Sequence, residues 1–164
     1  MHYDGLADTL DGIWGGWTPT QRLDIMKDSH IGVYGVTGLV CFSGLQATLY
    51  GHMAGQSFWP VIGVMAMSRA VMVPVMTWLK NANPSGLSAQ IGRPSTPTAI
   101  LSLTIGAFIA LLSGAWPAIF GSIIAALLVG SIAKHKIGGQ TGDILGSIQQ
   151  FAEVCSLIFV IALT

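Results

Sequence analysis

Residues 2–12 read HYDGLADTLDG and carry Asp4, Asp8 and Asp11. The spacing i, i+4, i+7 puts three carboxylates on one face of a helix. Like charges one turn apart destabilise a helix, and more so where water is scarce. Something positive therefore belongs among them. Mg²⁺ suits the role, because it takes one or two carboxylates and fills its other positions with water and phosphate oxygens. Gly5 and Gly12 each follow an aspartate and let a phosphate or another backbone come close. His2 is a candidate ligand or base, or simply a residue near a terminus. The opposing view of the triad is a solvated helix face. Trp14 and Trp17 in the following GIWGGW fit an interfacial belt as well as a substrate shelf.

Two further segments hold phosphate-binding chemistry. In QRLDIMKDS (21–29), Arg22 and Lys27 supply cations for phosphate oxygens, Arg with a two-pronged grip, and Asp24 and Asp28 stand one turn apart. The same stretch also reads as an amphipathic interfacial helix of mixed charge. In KHKIGGQTGDILG (134–146), a glycine turn with Gly138, Gly139, Thr141 and Asp143 precedes an apolar run, and backbone N–H groups of such a turn attract anions. It is no P-loop, because the Lys-Ser/Thr ending and a preceding strand are both missing. Asp143 has a second reading as the cap of the helix that follows.

The elements that must hold these residues are membrane helices. The chain has 164 residues, 52% hydrophobic and only 9% charged, whereas a soluble domain carries about 25% charged residues. Seven basic and seven acidic residues cancel, so net charge offers no case for nucleic-acid binding. Five acids precede residue 29, and the others are Asp143 and Glu153. Cys41 and Cys155 lie in apolar stretches and read as buried thiols rather than a disulfide framework or zinc site. No secretory signal pattern is visible at the start. The apolar runs predict an all-α, polytopic membrane bundle in a single domain over 1–164. Residues 1–30 form the acidic segment, followed by about five spans at 31–50, 58–79 (kinked at Pro74), 97–112, 116–133 and 144–164. SGAWP (113–117) supplies the turn that splits the long uncharged run.

Connections on one side hold Arg22, Lys27, Lys80, Arg93, Lys134 and Lys136, while those on the other side hold no Lys or Arg. The positive-inside rule puts the charged side in the cytoplasm. The alternation gathers the three chemical segments on that face, and the Lys80–Arg93 connection reads as an ordinary solvated loop. Arg69 lies eleven residues before Lys80 and Glu153 ten after Asp143, so both sit roughly 15 Å below the charged face at about 1.5 Å per residue. Intramembrane ions are costly unless paired, and equal depth predicts a salt bridge or shared polar cavity. Alternatively, Arg69 reaches a substrate phosphate from below.

As an ordered set, the DGLADTLDG run after a histidine, DIMKDSHIG at 24–32, SR at 68–69, and GGQTGDILG at 138–146 with Glu153 beyond it resemble the cobalamin synthase family, adenosylcobinamide-GDP ribazoletransferase. The resemblance implies a polytopic, Mg²⁺-dependent enzyme of the cell inner membrane with a cytoplasmic active face. It would join adenosylcobinamide-GDP to α-ribazole or its 5′-phosphate and release GMP. Carried over to this sequence, Asp4, Asp8 and Asp11 hold Mg²⁺, with Asp28 a further candidate ligand, and one of the triad accepts the hydroxyl proton. Substrate contacts then fall to His2, Arg22, Asp24, Lys27, Ser29, Arg69, Gly138, Gly139, Thr141, Asp143 and Glu153. The partners implied are the two substrates, the lipid bilayer and other corrinoid-assembly enzymes, with no nucleic acid. The family carries a further N-terminal portion ahead of the histidine, so a piece of a longer protein is expected. His30 stands where the family has arginine, and NANPSGLSAQIGR replaces a more basic loop. Two rivals are a CDP-alcohol phosphotransferase, whose motif has arginine where Asp8 stands, and a cation transporter, which favours acids spread through several spans.

Overall fold

The computed structural model describes residues 2–55 and 57–164, with Leu87 by its backbone alone. The described residues form α1 (His2–Gly15), α2 (Pro19–Lys27), α3 (Val33–Ala54), α4 (Trp59–Ala70), α5 (Met72–Trp78), α6 (Leu87–Ile91), α7 (Thr96–Leu112), α8 (Ala118–Ile137) and α9 (Gly142–Leu163). This is the expected all-α polytopic bundle. Four stretches are long and apolar enough to cross a bilayer: α3, the α4–α5 run, α8 and α9. The apolar α7 is shorter, at 17 residues.

The break between α4 and α5 has a local cause. Pro74 has no N–H, so the carbonyl four residues earlier, at Ala70, loses its helical partner. Ser102 Oγ on α7 donates to that carbonyl at 3.1 Å, the kind of side-chain repair that lets a helix break within a membrane. The turn expected at SGAWP is present between α7 and α8, with Gly114 at φ 78°.

The last helix is the axis of the fold. Most of α9 is buried, whereas α3 is largely exposed at the periphery. α8 lies along α9 through small residues. A Cβ on Gly121 would stand 2.8 Å from the backbone of Cys155 and Ser156, and Ser122 Oγ and Ser156 Oγ are 2.7 Å apart. Close approach through small residues is how membrane helices gain dispersion energy when lipid offers no hydrophobic drive. The main core joins Ile13, Met67, Val71, Ile137, Ile144 and Ile148. Cys155 is partly buried, but Cys41 is exposed on α3, because its helix faces outward there.

α1 crosses the charged end and packs on α9, α3 and α2. Thr18 caps α2 in a reciprocal capping box with Gln21, which turns the chain back against α1. Arg22 then anchors the pair. Its Nη1 donates to the Lys136 carbonyl at 2.9 Å and its Nε to that of Ile13 at 3.4 Å, satisfying carbonyls near the ends of α8 and α1.

Candidate functional site at the charged end of the bundle

The predicted stripe forms, since α1 is helical from His2 to Gly15, but its three aspartates meet three environments. Asp4 is exposed, Asp8 half-buried, and Asp11 buried. Asp11 has turned to the start of α3, where Oδ2 accepts from Gly32 N–H at 2.7 Å and Oδ1 from Gly35 N–H at 2.9 Å. A carboxylate at a helix N-terminus satisfies orphan donors and opposes the positive end of the dipole. The glycines make room for it, because a Cβ on Gly35 would fall 2.3 Å from Oδ2. Asp11 therefore ties α1 to α3 with both oxygens.

Asp4 and Asp8 instead gather with Asp143 in the first turn of α9. Gly5 permits the approach: a Cβ there would lie 2.8 Å from the Asp143 carbonyl oxygen and 2.9 Å from its Cα. Burial, then the negative charges of Asp143, Asp4 and Asp11, push the Asp8 carboxyl up to about 6. His2, Asp4, Gly142 and Asp143 line a cavity of about 580 Å³, with Met72, Met76 and Ser88 across from them. Among the described residues, no three His, Cys, Asp or Glu side chains form a metal-holding group. Mg²⁺ usually takes one or two carboxylates from protein, and Asp4 and Asp143 are the two that line the cavity. Hard, acceptor-only oxygens with a proton affinity raised by their neighbours fit such a cation.

The glycine turn is built for close packing. Gly138 ends α8 at φ 79°, a left-handed position suited to glycine. Gly139 passes so near the 80–82 segment that a Cβ would sit 2.2 Å from the Lys80 carbonyl oxygen. Thr141, not Asp143, caps α9, accepting from Ile144 N–H at 3.3 Å, so the expected alternative of an Asp143 cap is corrected. A hydroxyl one residue before the helix reaches the N3 amide directly, which leaves Asp143 in the first turn facing α1.

The other candidates are placed elsewhere. Asp24 lines a separate shallow cleft with Gly15, Gly16 and Trp17. Asp28 bonds to His30, whose backbone N–H and Nδ1 lie 3.0 and 2.7 Å from one of its oxygens, and these bonds hold its carboxyl below the usual range. Lys27 and Ser29 are exposed. Lys136 stands 5.9 Å over the ring of the exposed Trp14.

Below the cavity, Arg69 and Glu153 pair as their equal depth predicted, with Nη1 to Oε2 at 3.6 Å. Glu153 Oε1 also accepts from Tyr50 Oη at 2.5 Å and Gln46 Nε2 at 3.3 Å, and Oε2 from Gln149 Nε2 at 2.5 Å. Gln46 in turn accepts from Tyr3 Oη on α1. A polar chain thus runs from the acidic helix to the middle of α9, and its buried charge is hydrogen-bonded from several sides.

Sequence reasoning missed the loop between Lys80 and Arg93. It folds over the site, contributes Ser88, Gln90 and Ile91 to the large cavity, and pairs with the glycine turn through an Asn81–Gln140 bridge. Only the glycines of the turn hinted that a second backbone lies against it.

No solved structure matches the chain. Its curated relatives include proteins described as adenosylcobinamide-GDP ribazoletransferase from Brucella canis and Brucella suis, each 38% identical over 171 residues covering 96% of this chain. The corresponding Brucella melitensis protein is 37% identical over the same extent. The chain spans 66% of the length of these relatives, just under two thirds. The family described as cobalamin-5-phosphate synthase matches residues 1–161, an extent that takes in the acidic helix, the glycine turn and the Arg69–Glu153 pair alike, and the chain belongs to that family.

Proposed function

We propose that the protein transfers the phosphocobinamide part of adenosylcobinamide-GDP to α-ribazole or its 5′-phosphate, releasing GMP, at the cytoplasmic face of the cell inner membrane. The observation that carries this reading is that Asp4 and Asp143 line one cavity, on two helices brought into contact by Gly5, with Asp8 near enough to feel both charges. Family membership and relatives that bear the transferase name support it.

The acceptor hydroxyl attacks the phosphorus nearest the cobinamide and forms a new O–P bond. The bond from that phosphorus to the bridging oxygen breaks, and GMP departs with the electron pair. Phosphoryl-type transfer depends mainly on positioning and on neutralising charge. Mg²⁺ held by Asp4, Asp8 or Asp143 would neutralise charge on the diphosphate oxygens. Asp8 receives the hydroxyl proton, since a carboxyl near 6 can be ionised at neutral pH and still bind a proton usefully. Amides at the start of α9, where exposed Gly142 lines the cavity, contribute donors to phosphate oxygens.

The test supplies adenosylcobinamide-GDP, α-ribazole and Mg²⁺ to membranes containing the chain and measures GMP together with corrinoid product. Equal amounts of both are expected, dependent on Mg²⁺. Mg²⁺ uptake without GMP, or CMP release from a CDP-alcohol, would refute the assignment in favour of a carrier or a lipid-type transferase.

A further inference from the structure

A second cavity of about 190 Å³ adjoins the acidic one, with Met76 and Ser88 lining both. Its size is below the roughly 300 Å³ at which sites for whole drug-sized ligands begin, so it takes one part of a larger ligand. Lys80, Asn81, Arg93 and Gln140 complete its polar lining.

Gln140 is the unusual member. It is 3% exposed, and its Oε1 is buried without a hydrogen-bond partner. Its backbone is committed on both sides, with Gln140 N–H donating to the Lys80 carbonyl at 2.9 Å and its carbonyl accepting from Ala82 N–H at 2.8 Å. The backbone is therefore fixed at the wall while the side-chain amide keeps a buried acceptor without a donor, a costly state that a turn of the side chain toward a donor in the cavity relieves. The neighbouring polar groups are already engaged. Asn81 Nδ2 donates to Ser88 Oγ at 2.6 Å, and Arg93 holds the Thr77 carbonyl through Nε at 2.7 Å. Exposed Lys80 and Arg93 add positive charge, and Met76, Leu79 and Ala89 add apolar surface.

A group that complements this lining has an apolar body, an N–H donor and an attached anion. Resting on the reaction proposed above, three pieces compete. The ribosylated base of α-ribazole has an acceptor nitrogen in its ring and no ring N–H. The corrinoid has carboxamide donors, but its macrocycle is far larger than the cavity. Guanine offers N1–H and a 2-amino group side by side. We propose that this cavity seats the guanine of the nucleotide leaving group, with Gln140 Oε1 as the acceptor that selects it, and Lys80 and Arg93 facing the nucleotide's phosphate charge. Gln140 is then a specificity-determining residue, and the Lys80–Arg93 loop is the wall of a nucleotide subsite.

The experiment titrates GMP, IMP and AMP into the purified full chain in lipid nanodiscs, for the unaltered protein, Gln140→Leu and Lys80→Ala, with GMP release from adenosylcobinamide-GDP and α-ribazole measured in parallel. The unaltered protein is expected to bind GMP about tenfold more tightly than AMP, as a polar site rejects a base with the wrong edge. Gln140→Leu should bring GMP down to the AMP level while AMP changes less than about twofold. Lys80→Ala should weaken all three nucleotides alike and keep their ratio, which shows that a loop variant still folds. A GMP-to-AMP ratio unchanged in Gln140→Leu, or no nucleotide binding by the unaltered protein, overturns the proposal. Transferase turnover with an unchanged ratio would discard the subsite and keep the reaction. The predicted ratios without turnover would keep a guanine-nucleotide site and discard the reaction.

Discussion

Replacing Asp11 with Ala separates two roles that three equally spaced aspartates would otherwise share. Asp11 accepts two backbone bonds, from Gly32 at 2.7 Å and Gly35 at 2.9 Å, and it is only 7% exposed. A hydrogen bond to a charged group contributes about 1.5–3 kcal/mol, and a lost helix cap costs up to about 2 kcal/mol. The two bonds share one carboxylate, and Gly32 keeps some access to solvent, so the sum is not additive. We expect Asp11→Ala to cost about 3 kcal/mol, which lowers the folded-to-unfolded ratio by about two orders of magnitude. Asp11→Asn keeps one acceptor and should cost about 1 kcal/mol. The assay is unfolding by added SDS in mixed micelles, followed by far-UV circular dichroism, for these variants beside Asp8→Asn. Asp8→Asn should unfold no more easily than the unaltered chain, because it removes like-charge repulsion, yet lose its response to Mg²⁺. If Asp11→Ala unfolds at the same SDS fraction and loses only the Mg²⁺ response, Asp11 is a ligand and the capping argument is wrong.

Asp8 also sets a pH dependence. Its folded value of about 6 lies above the ordinary 3.8, so its protonated form stabilises the fold. That contribution is complete below about pH 4, declines through pH 6, and is absent above. Mg²⁺ competes with the proton, so its affinity should rise about tenfold per pH unit below 6 and level off above; a flat Mg²⁺ titration between pH 5 and 8 would count against the acidic cluster as the cation's seat. Glu153→Gln sets an amide among the donors of Tyr50, Gln46, Gln149 and Arg69. Because Arg69 is half exposed, we expect a loss of about 2 kcal/mol, less than for a fully buried pair, read by the same SDS titration; no loss would mean that the network is structurally idle. Gly139→Ala places a methyl 2.2 Å from the Lys80 carbonyl and should cost about 1–3 kcal/mol while raising the KM for the nucleotide substrate, with unchanged KM as the refuting result.

The sequence by itself determined the solvent and the helices. A chain with 9% charge and apolar runs of about twenty residues must satisfy its backbone internally in lipid, which leaves few architectures open. Charge placement along the chain also determined which connections share a face, and it set the matching depth of Arg69 and Glu153, since rise per residue is a local quantity. Only the tertiary structure decided how the aspartates divide. Helical periodicity treats Asp4, Asp8 and Asp11 as equivalent, but which one meets a neighbouring helix depends on the rotation and crossing of α1 against α3 and α9. That geometry is fixed by Gly5, Gly32 and Gly35, residues whose lack of a side chain becomes informative once the opposing backbone is known. The same holds for Gln140. In one dimension it is an uncharged residue in a glycine turn, and its significance arises because a loop some sixty residues earlier in the chain pairs with it while its side-chain oxygen is buried. Long-range pairing of this kind has no local sequence signature, because it is selected by which surfaces remain after the helices have packed.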